Sequence, residues 1–213
     1  VKLLNGYKNK GLIQYLEIPE KSLHESEARN LALKHLLNEE CDVIYLIDIL
    51  DEYYTEQQIK SIFEYINRED NKYITYFRTP FKNYIINDKQ WVGDFCPPRA
   101  FRRISDGKYL CSFFFDNDVT YENENGHGQY TYSTMTGKSI PKNIINGGIK
   151  HLTWQSNEKT KNKIFYQLAH FKDVNGQGIC GYKWNEKTNQ VEIDLEHHRK
   201  YNIPVPEINY DKE

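Results

Sequence analysis

An α/β fold, a mixed sheet flanked by helices, is what this sequence predicts, and three observations carry the expectation. Apolar residues recur at helical spacing in three separate stretches, short β-branched and aromatic runs lie between them, and turn-forming residues bound those runs. The length of 213 residues fits one domain with at most a small appendage. A set of 17 Tyr, 10 Phe and 3 Trp supplies large surfaces for burial, so an ordered core is expected despite the polar composition.

Ser22 with Glu25 forms a capping box, and Ala28, Leu31, Ala32, Leu36 and Leu37 follow at helical spacing, which predicts a helix over about 23–39. Residues 42–47, Asp-Val-Ile-Tyr-Leu-Ile, form a short apolar run that reads as a strand covered on both faces in a parallel sheet. That run ends in the acidic turn Asp48-Ile-Leu-Asp51-Glu52. Thr55 and Gln58 form a second capping box, and Ile59, Ile62, Phe63 and Ile66 trace one face of a helix to about Arg68.

The β-formers of 72–86, interrupted by Pro80, predict two strands or an extended arm. Residues 101–104 and 109–115 read as strands, with a hairpin across Ser105-Asp-Gly107. Residues 116–148 read as a long loop, 149–154 as a short strand and 158–171 as a helix marked by Ile164, Phe165, Leu168 and Phe171. The last forty or so residues, with Gly176, Gly178, Gly181, Pro204 and Pro206, read as an irregular extension. The expected division is a main α/β domain over 1–171 and an extension packed on it over 172–213.

Lys plus Arg total 28 against 30 Asp plus Glu, a formal charge of -2, which gives no overall basic field for holding a nucleic-acid backbone. Nucleic acid is therefore not expected as the main partner. No apolar run approaches the roughly 20 residues that span a bilayer, so no transmembrane segment is expected. Cys41, Cys96, Cys111 and Cys180 are widely spaced and form no CxxC pair, which fits a reducing cytoplasm better than a disulfide framework.

The acidic turn is the sharpest chemical feature. Carboxylates at the end of a strand in an open α/β sheet lie where such sheets bind ligands, and hard cations such as Mg²⁺ or Mn²⁺ take carboxylate oxygens together with substrate phosphates. A plain strand end followed by an acidic helix start explains the same residues. The stretch Glu27-Ala28-Arg29-Asn30-Leu-Ala-Leu, with Asp42-Val-Ile-Tyr-Leu-Ile-Asp48-Ile-Leu-Asp51-Glu52-Tyr53-Tyr54, resembles the family 2 type glycosyltransferases. Pro98-Arg99-Ala-Phe101-Arg102 and His151-Leu-Thr-Trp154 are similar to later segments of that group.

The resemblance implies a GT-A, Rossmann-like fold and a hexosyltransferase type of activity. It further implies a nucleotide-sugar donor, a glycan or other hydroxyl acceptor, and a divalent metal, Mn²⁺ or Mg²⁺. By the resemblance, Asp51 first and Asp48 second hold the metal and diphosphate, His151 is the third ligand, and Arg29 and Asn30 lie beside the nucleotide. A hydrogen-bonded structural histidine flanked by Ile149, Leu152 and Trp154, and a surface arginine with a capping asparagine, explain the same residues. It also implies a cytoplasmic or membrane-peripheral location.

Two departures stand out. The family's Asp-x-Asp is here Asp48-x-x-Asp51, so both carboxylates reach one ion only if the chain bends between them. Only 27 residues precede Ala28 where the family has a longer nucleotide-binding segment, so an amino-terminally truncated piece or a reduced member is expected.

Inverting transfer needs a base near the acceptor hydroxyl, and Asp116 and Asp118 after Phe113-Phe-Phe115 are the candidates, with solvated loop acids as the alternative. Trp91, Trp154 and Tyr132 are candidates for stacking on sugar rings or for the core. His197-His198 reads as a surface pair. The contrasting functional class is a non-catalytic carbohydrate-binding or structural module derived from the same fold.

Overall fold

A computed structural model describes residues 9, 25–36, 41–47, 51–84, 90–93, 95–105, 107–114, 118–123, 129–130, 135–152, 157–170, 172–178 and 180–211. Its elements run α1 (Glu25–Leu36), β1 (Val43–Tyr45), β2 (Glu52–Tyr53), α2 (Glu56–Ile66), β3 (Tyr76–Arg78), β4 (Phe81–Tyr84), β5 (Gln90–Val92), β6 (Pro98–Arg102), β7 (Ile104–Ser105) and β8 (Lys108–Phe114). They continue with β9 (Asp118–Asn123), β10 (Gln129–Tyr130), β11 (Gly137–Ser139), β12 (Ile149–His151), α3 (Asn157–His170), β13 (Tyr182–Asn185), β14 (Gln190–Ile193), α4 (Leu195–Lys200) and β15 (Asn209–Tyr210). The fold class is mixed α/β. Among the described residues no helix is long and apolar enough to cross a membrane.

The chain divides into two units, one of Val1–Tyr45, Tyr73–Tyr76 and Phe101–Thr136, the other of Leu46–Lys72, Phe77–Ala100 and Gly137–Glu213. The residues after 172 share the second unit with α2.

The first unit is built on an antiparallel sheet in the order β10-β9-β8-β7, where β8 and β7 form the hairpin expected across residues 105–107. Gly107 turns that hairpin at φ 69°, a left-handed conformation that glycine adopts without strain. The loop expected from 116 onward is instead largely extended: β9 pairs along β8 from Asp118 against Phe114 to Asn123 against Lys108. The β-branched and aromatic Val119, Thr120 and Tyr121 explain this, since all three are buried. Tyr121 donates its hydroxyl to the carbonyls of Arg102 at 2.5 Å and Thr75 at 3.2 Å, and burial drives its pKa well above the usual phenol range.

The second unit holds a mixed five-stranded sheet in the order β15-β5-β4-β12-β2, with β12 parallel to β4 and antiparallel to β2. Its helix α2 starts as the sequence dictates: the Thr55 hydroxyl accepts from the Gln58 N–H, and the Gln58 side chain accepts from the Thr55 N–H. Gln58 also donates its Nε2 to the carbonyls of Ile145 at 2.9 Å and Gly148 at 3.3 Å, fastening α2 to the segment before β12. Val92, Ile164, Cys180 and Val191 form a core beside β5, joined by Leu168, Tyr182, Trp184 and Ile208.

Three expectations need correction. Residues 43–45 do not form a buried parallel strand: β1 ends a four-stranded sheet of order β1-β6-β3-β11. Its hydrogen bonds, Leu46 N–H to Arg99 C=O and Arg103 N–H to Asp42 C=O, have the descending register of an antiparallel pair. The apolar run is continuous because Ile44 is buried and Val43, Tyr45 and Leu46 are half-buried, although Ile47 is 42% exposed. Residues 172–213 are not irregular, since they form the hairpin β13–β14, the helix α4 and the strand β15, which pairs with β5. The pair His197-His198 is not a surface pair either, because His198 is only 7% exposed.

Candidate active site

In a strand, alternate residues face opposite ways, so the register of β2, β12 and β4 decides which side chains meet. His151 lies opposite Glu52 on one side and Asn83 on the other. Glu52, His151 and Asn83 therefore form one polar row on the inward face of the sheet, exposed by only 4%, 8% and 8%. Buried polar groups require partners, and each member of this row has them.

The Glu52 carboxylate accepts from Arg99 through Nε at 2.8 Å and Nη2 at 2.6 Å, and from the Tyr54 hydroxyl at 2.8 Å. Arg99 also donates Nη1 to the Pro98 carbonyl at 3.2 Å, and its guanidinium lies 5.3 Å from the centre of the Phe81 ring. Both charges are out of water, with side-chain exposures of 8% for Arg99 and 0% for Glu52. Such a pair fixes geometry and is costly to break from one side.

The imidazole of His151 sits against Phe81, with ring centres 5.2 Å apart, and against Phe95 at 5.9 Å. Its Nδ1 is held by Asn83 Oδ1. With the amide oxygen accepting, Nδ1 carries a proton, and in a neutral ring the lone pair is then on Nε2, the tautomer in which a histidine can ligate a metal.

Asp51 occupies the turn that leads into β2 and is half-buried. Its carbonyl accepts from Leu152 N–H at 2.8 Å, which extends the β2–β12 pairing by one step and sets the acidic turn beside the end of the histidine strand. The structure thus sets the backbone of Asp51 beside the end of the His151 strand, a hundred residues away in sequence, while the same alternation puts the Asp51 side chain on the face of Tyr53 and Lys150, opposite that of His151. Asp48 lies outside the described residues. Among the described residues no three or more His, Cys, Asp or Glu are grouped as a metal site.

The other candidates belong to the first unit. Asn30, on α1, uses both ends of its amide on one residue of β8: Nδ2 donates to the Phe113 carbonyl at 2.7 Å, and Oδ1 accepts from the Phe113 N–H at 2.7 Å. This amide acts as a strand-like clamp from helix to sheet. Arg29 is half-buried next to it. Asp118 is the first residue of β9, opposite Phe114, while Asp116 lies outside the described residues.

Trp91 lies on β5 with the Lys82 ammonium 4.9 Å from its ring centre, and Trp154 and Tyr132 lie outside the described residues. His197 and His198 sit on α4, and neither ring nitrogen of His198 has a hydrogen-bond partner. All four cysteines are free, and burial pushes the thiols of Cys96, Cys111 and Cys180 upward.

Sequence reasoning quoted Glu52 and Arg99 as parts of motifs without assigning them a role, and it passed over Asn83. Asn83 had a signal of its own: in Phe81-Lys-Asn83 it shares the face of a phenylalanine, and a polar residue at an inward position demands a partner. The chain matches no known family model, no curated protein and no solved structure.

Proposed function

We propose that this chain is a GT-A type glycosyltransferase domain that transfers a sugar from a nucleotide-diphosphate donor to an acceptor hydroxyl. The observation that carries the reading is the pairing of the Asp51 turn with the strand of His151. It puts the two residues on neighbouring strands, within the segments that carry the family resemblance, and the reading requires the turn before β2 to carry the Asp51 carboxylate round to the His151 side. One oxygen donor and one nitrogen donor suit Mn²⁺, with donor phosphates completing the shell.

Asp51 and His151 would hold the ion, and Asp48 would join them if the turn between 48 and 51 bends inward. When bound, the metal neutralises the charge on the departing diphosphate. Asn83 keeps the His151 lone pair on Nε2, while the Glu52–Arg99 pair fixes the start of β2 and so the direction of the acidic turn. Arg29 and Asn30 as nucleotide contacts and Asp116 or Asp118 as base belong to the first unit and enter the proposal through the resemblance and the chemistry of their side chains alone.

The test is a sugar-transfer and donor-hydrolysis assay across UDP- and GDP-sugars with Mn²⁺, on this chain and on Asp51→Asn. Metal-dependent turnover that falls at least a hundredfold in Asp51→Asn is the expected result. Equal turnover in the two proteins would remove Asp51 from the site. Saturable binding of a free glycan with no turnover of any donor would favour the carbohydrate-binding module.

A further inference from the structure

The face of the five-stranded sheet opposite the Glu52–His151–Asn83 row has a different chemistry. Alternation places Tyr53, Lys150, Lys82, Tyr84 and Trp91 there, because Lys150 lies opposite both Tyr53 and Lys82, and Tyr84 lies opposite Trp91. Two lysines are thus direct cross-strand neighbours, an arrangement that repels. Among the described residues no carboxylate lies within ion-pair distance of Lys82, Lys150 or the nearby Lys142, although surface lysines elsewhere, such as Lys60 and Lys161, have such partners.

The aromatic rings hold these ammonium groups in place. Lys82 Nζ is 4.9 Å from the Trp91 ring centre and Lys150 Nζ is 4.5 Å from that of Tyr84. Lys142 Nζ reaches the Gly93 carbonyl at 3.4 Å, at the edge of the Trp91 ring. Arg78 and Lys142 both act on the Cys96 thiol as positive charges. Tyr84 donates its hydroxyl to the Asp211 carboxylate, at 2.8 and 2.9 Å, which ties that acid to a phenol.

Bare backbone borders the cluster. A Cβ added to Gly93 would stand 2.9 Å from Trp91 Cζ3 and 3.4 Å from Lys142 Nζ. One added to Gly147 would stand 3.2 Å from Lys82 Cε, and one added to Gly148 3.3 Å from Lys82 Cγ. Three glycines therefore leave room where side chains would push the lysines or the indole away. Gly147 and Gly148 have φ of 91° and 144°, which other residues rarely adopt.

We propose that this face is a binding site for the di- or triphosphate group of a small ligand, held by Lys82, Lys142 and Lys150 against the edge of Trp91. Three ammonium groups without a carboxylate partner among the described residues, two beside the Trp91 indole and one over the adjacent Tyr84 ring, match the charge density of a short phosphate chain. Phosphate relieves the Lys82–Lys150 repulsion, and lysine binds it as a compact point charge. The site needs no metal, and stands or falls independently of the glycosyltransferase reading.

The experiment titrates inorganic tripolyphosphate, without divalent metal and at 150 mM salt, into the wild-type chain, following tryptophan fluorescence and calorimetric heat. It is repeated on Lys82→Gln/Lys150→Gln, on Lys142→Gln, on Lys60→Gln as a surface control, and on Asp51→Asn. Saturable binding is expected, weakened at least tenfold in the double variant and about threefold or more in Lys142→Gln, and unchanged in Lys60→Gln. The double variant is also expected to melt at or above the wild-type temperature at low salt, since a repulsive pair is gone.

Absence of saturable binding would overturn the proposal, as would equal affinity in the double variant. Binding that disappears in Asp51→Asn would assign the phosphate to the acidic turn instead. An octathymidylate that binds and is not displaced by tripolyphosphate would make the surface a nucleic-acid site and overturn the proposal in that way.

Discussion

Replacing Arg99 by Met is the sharpest perturbation of the candidate site's scaffold. Arg99 supplies two short hydrogen bonds, 2.8 and 2.6 Å, to a Glu52 carboxylate whose side chain has 0% exposure, leaving Tyr54 as the other described donor. Methionine fills much of the same volume but leaves the carboxylate buried without its counter-charge. Charge-assisted bonds contribute about 1.5–3 kcal/mol each, and breaking a buried pair from one side costs about 3–5 kcal/mol. The expected loss is therefore about 3–5 kcal/mol, a large part of the stability of an ordinary domain.

The assay is a double-mutant cycle by urea unfolding with Arg99→Met, Glu52→Gln and the two combined. The account requires strong coupling: the combined variant should be less destabilised than the sum of the singles by at least about 2 kcal/mol, because removing both charges leaves no buried ion uncompensated. A cost under about 1 kcal/mol for Arg99→Met, or strict additivity, would refute the reasoning that this pair holds the start of β2.

Four further outcomes follow from the geometry. Asn30→Ala removes both bonds to Phe113 and should cost about 1–3 kcal/mol in thermal or urea unfolding, with a cost near zero excluding the clamp. Thr55→Ala should cost about 1 kcal/mol as a lost helix cap, and Gln58→Ala should cost more because it also releases the Ile145 and Gly148 carbonyls; calorimetry orders the two. Asn83→Ala should weaken Mn²⁺ binding about 10- to 100-fold through loss of the His151 tautomer lock, a change that titration calorimetry reads.

The last outcome concerns acid. Asp173 accepts from the Tyr201 hydroxyl at 2.6 Å and from the N–H groups of Gln177 and Asn175, and these bonds, led by Tyr201, hold its pKa below the ordinary carboxylate value of 3.8. A depressed folded-state pKa means stabilisation that is present above the unfolded value and lost as pH falls through the folded one. Protection of residues 172–201 against hydrogen exchange should fall below about pH 4, and Asp173→Asn should remove that step. An unchanged acid limb in Asp173→Asn would contradict the assignment.

Local signals were legible wherever they were self-contained. The Thr55–Gln58 box and the apolar face Ile62–Ile66 define α2 without help from the rest of the chain, and Gly107 with its flanking β-formers defines the β7–β8 hairpin. Signals that depend on strand partners were not legible. The run at 43–45 looks like a doubly covered parallel strand because its composition reports burial, whereas its antiparallel pairing follows from residues 99–103, which its own sequence cannot name.

The polar row shows the same limit. His151 and the acidic turn were readable by type and resemblance, but Asn83 acquires a role only through the parallel register of β4 and β12. Asn30 is the converse case. A helix asparagine beside an arginine reads as a cap or a nucleotide contact, and the antiparallel pair β8–β9 had to form before Phe113 could present the backbone groups that its amide takes.

The central claim is that the Asp51 turn and the His151 strand form one metal-diphosphate site, and an electron paramagnetic resonance titration of Mn²⁺ tests it most directly. The titration is run with and without a nucleoside diphosphate, on the wild-type chain, Asp51→Asn and His151→Gln. The account predicts one bound Mn²⁺ that tightens with the diphosphate and is weakened at least tenfold by either substitution, with circular dichroism unchanged. Mn²⁺ and diphosphate binding that persists at wild-type affinity in both variants would contradict it.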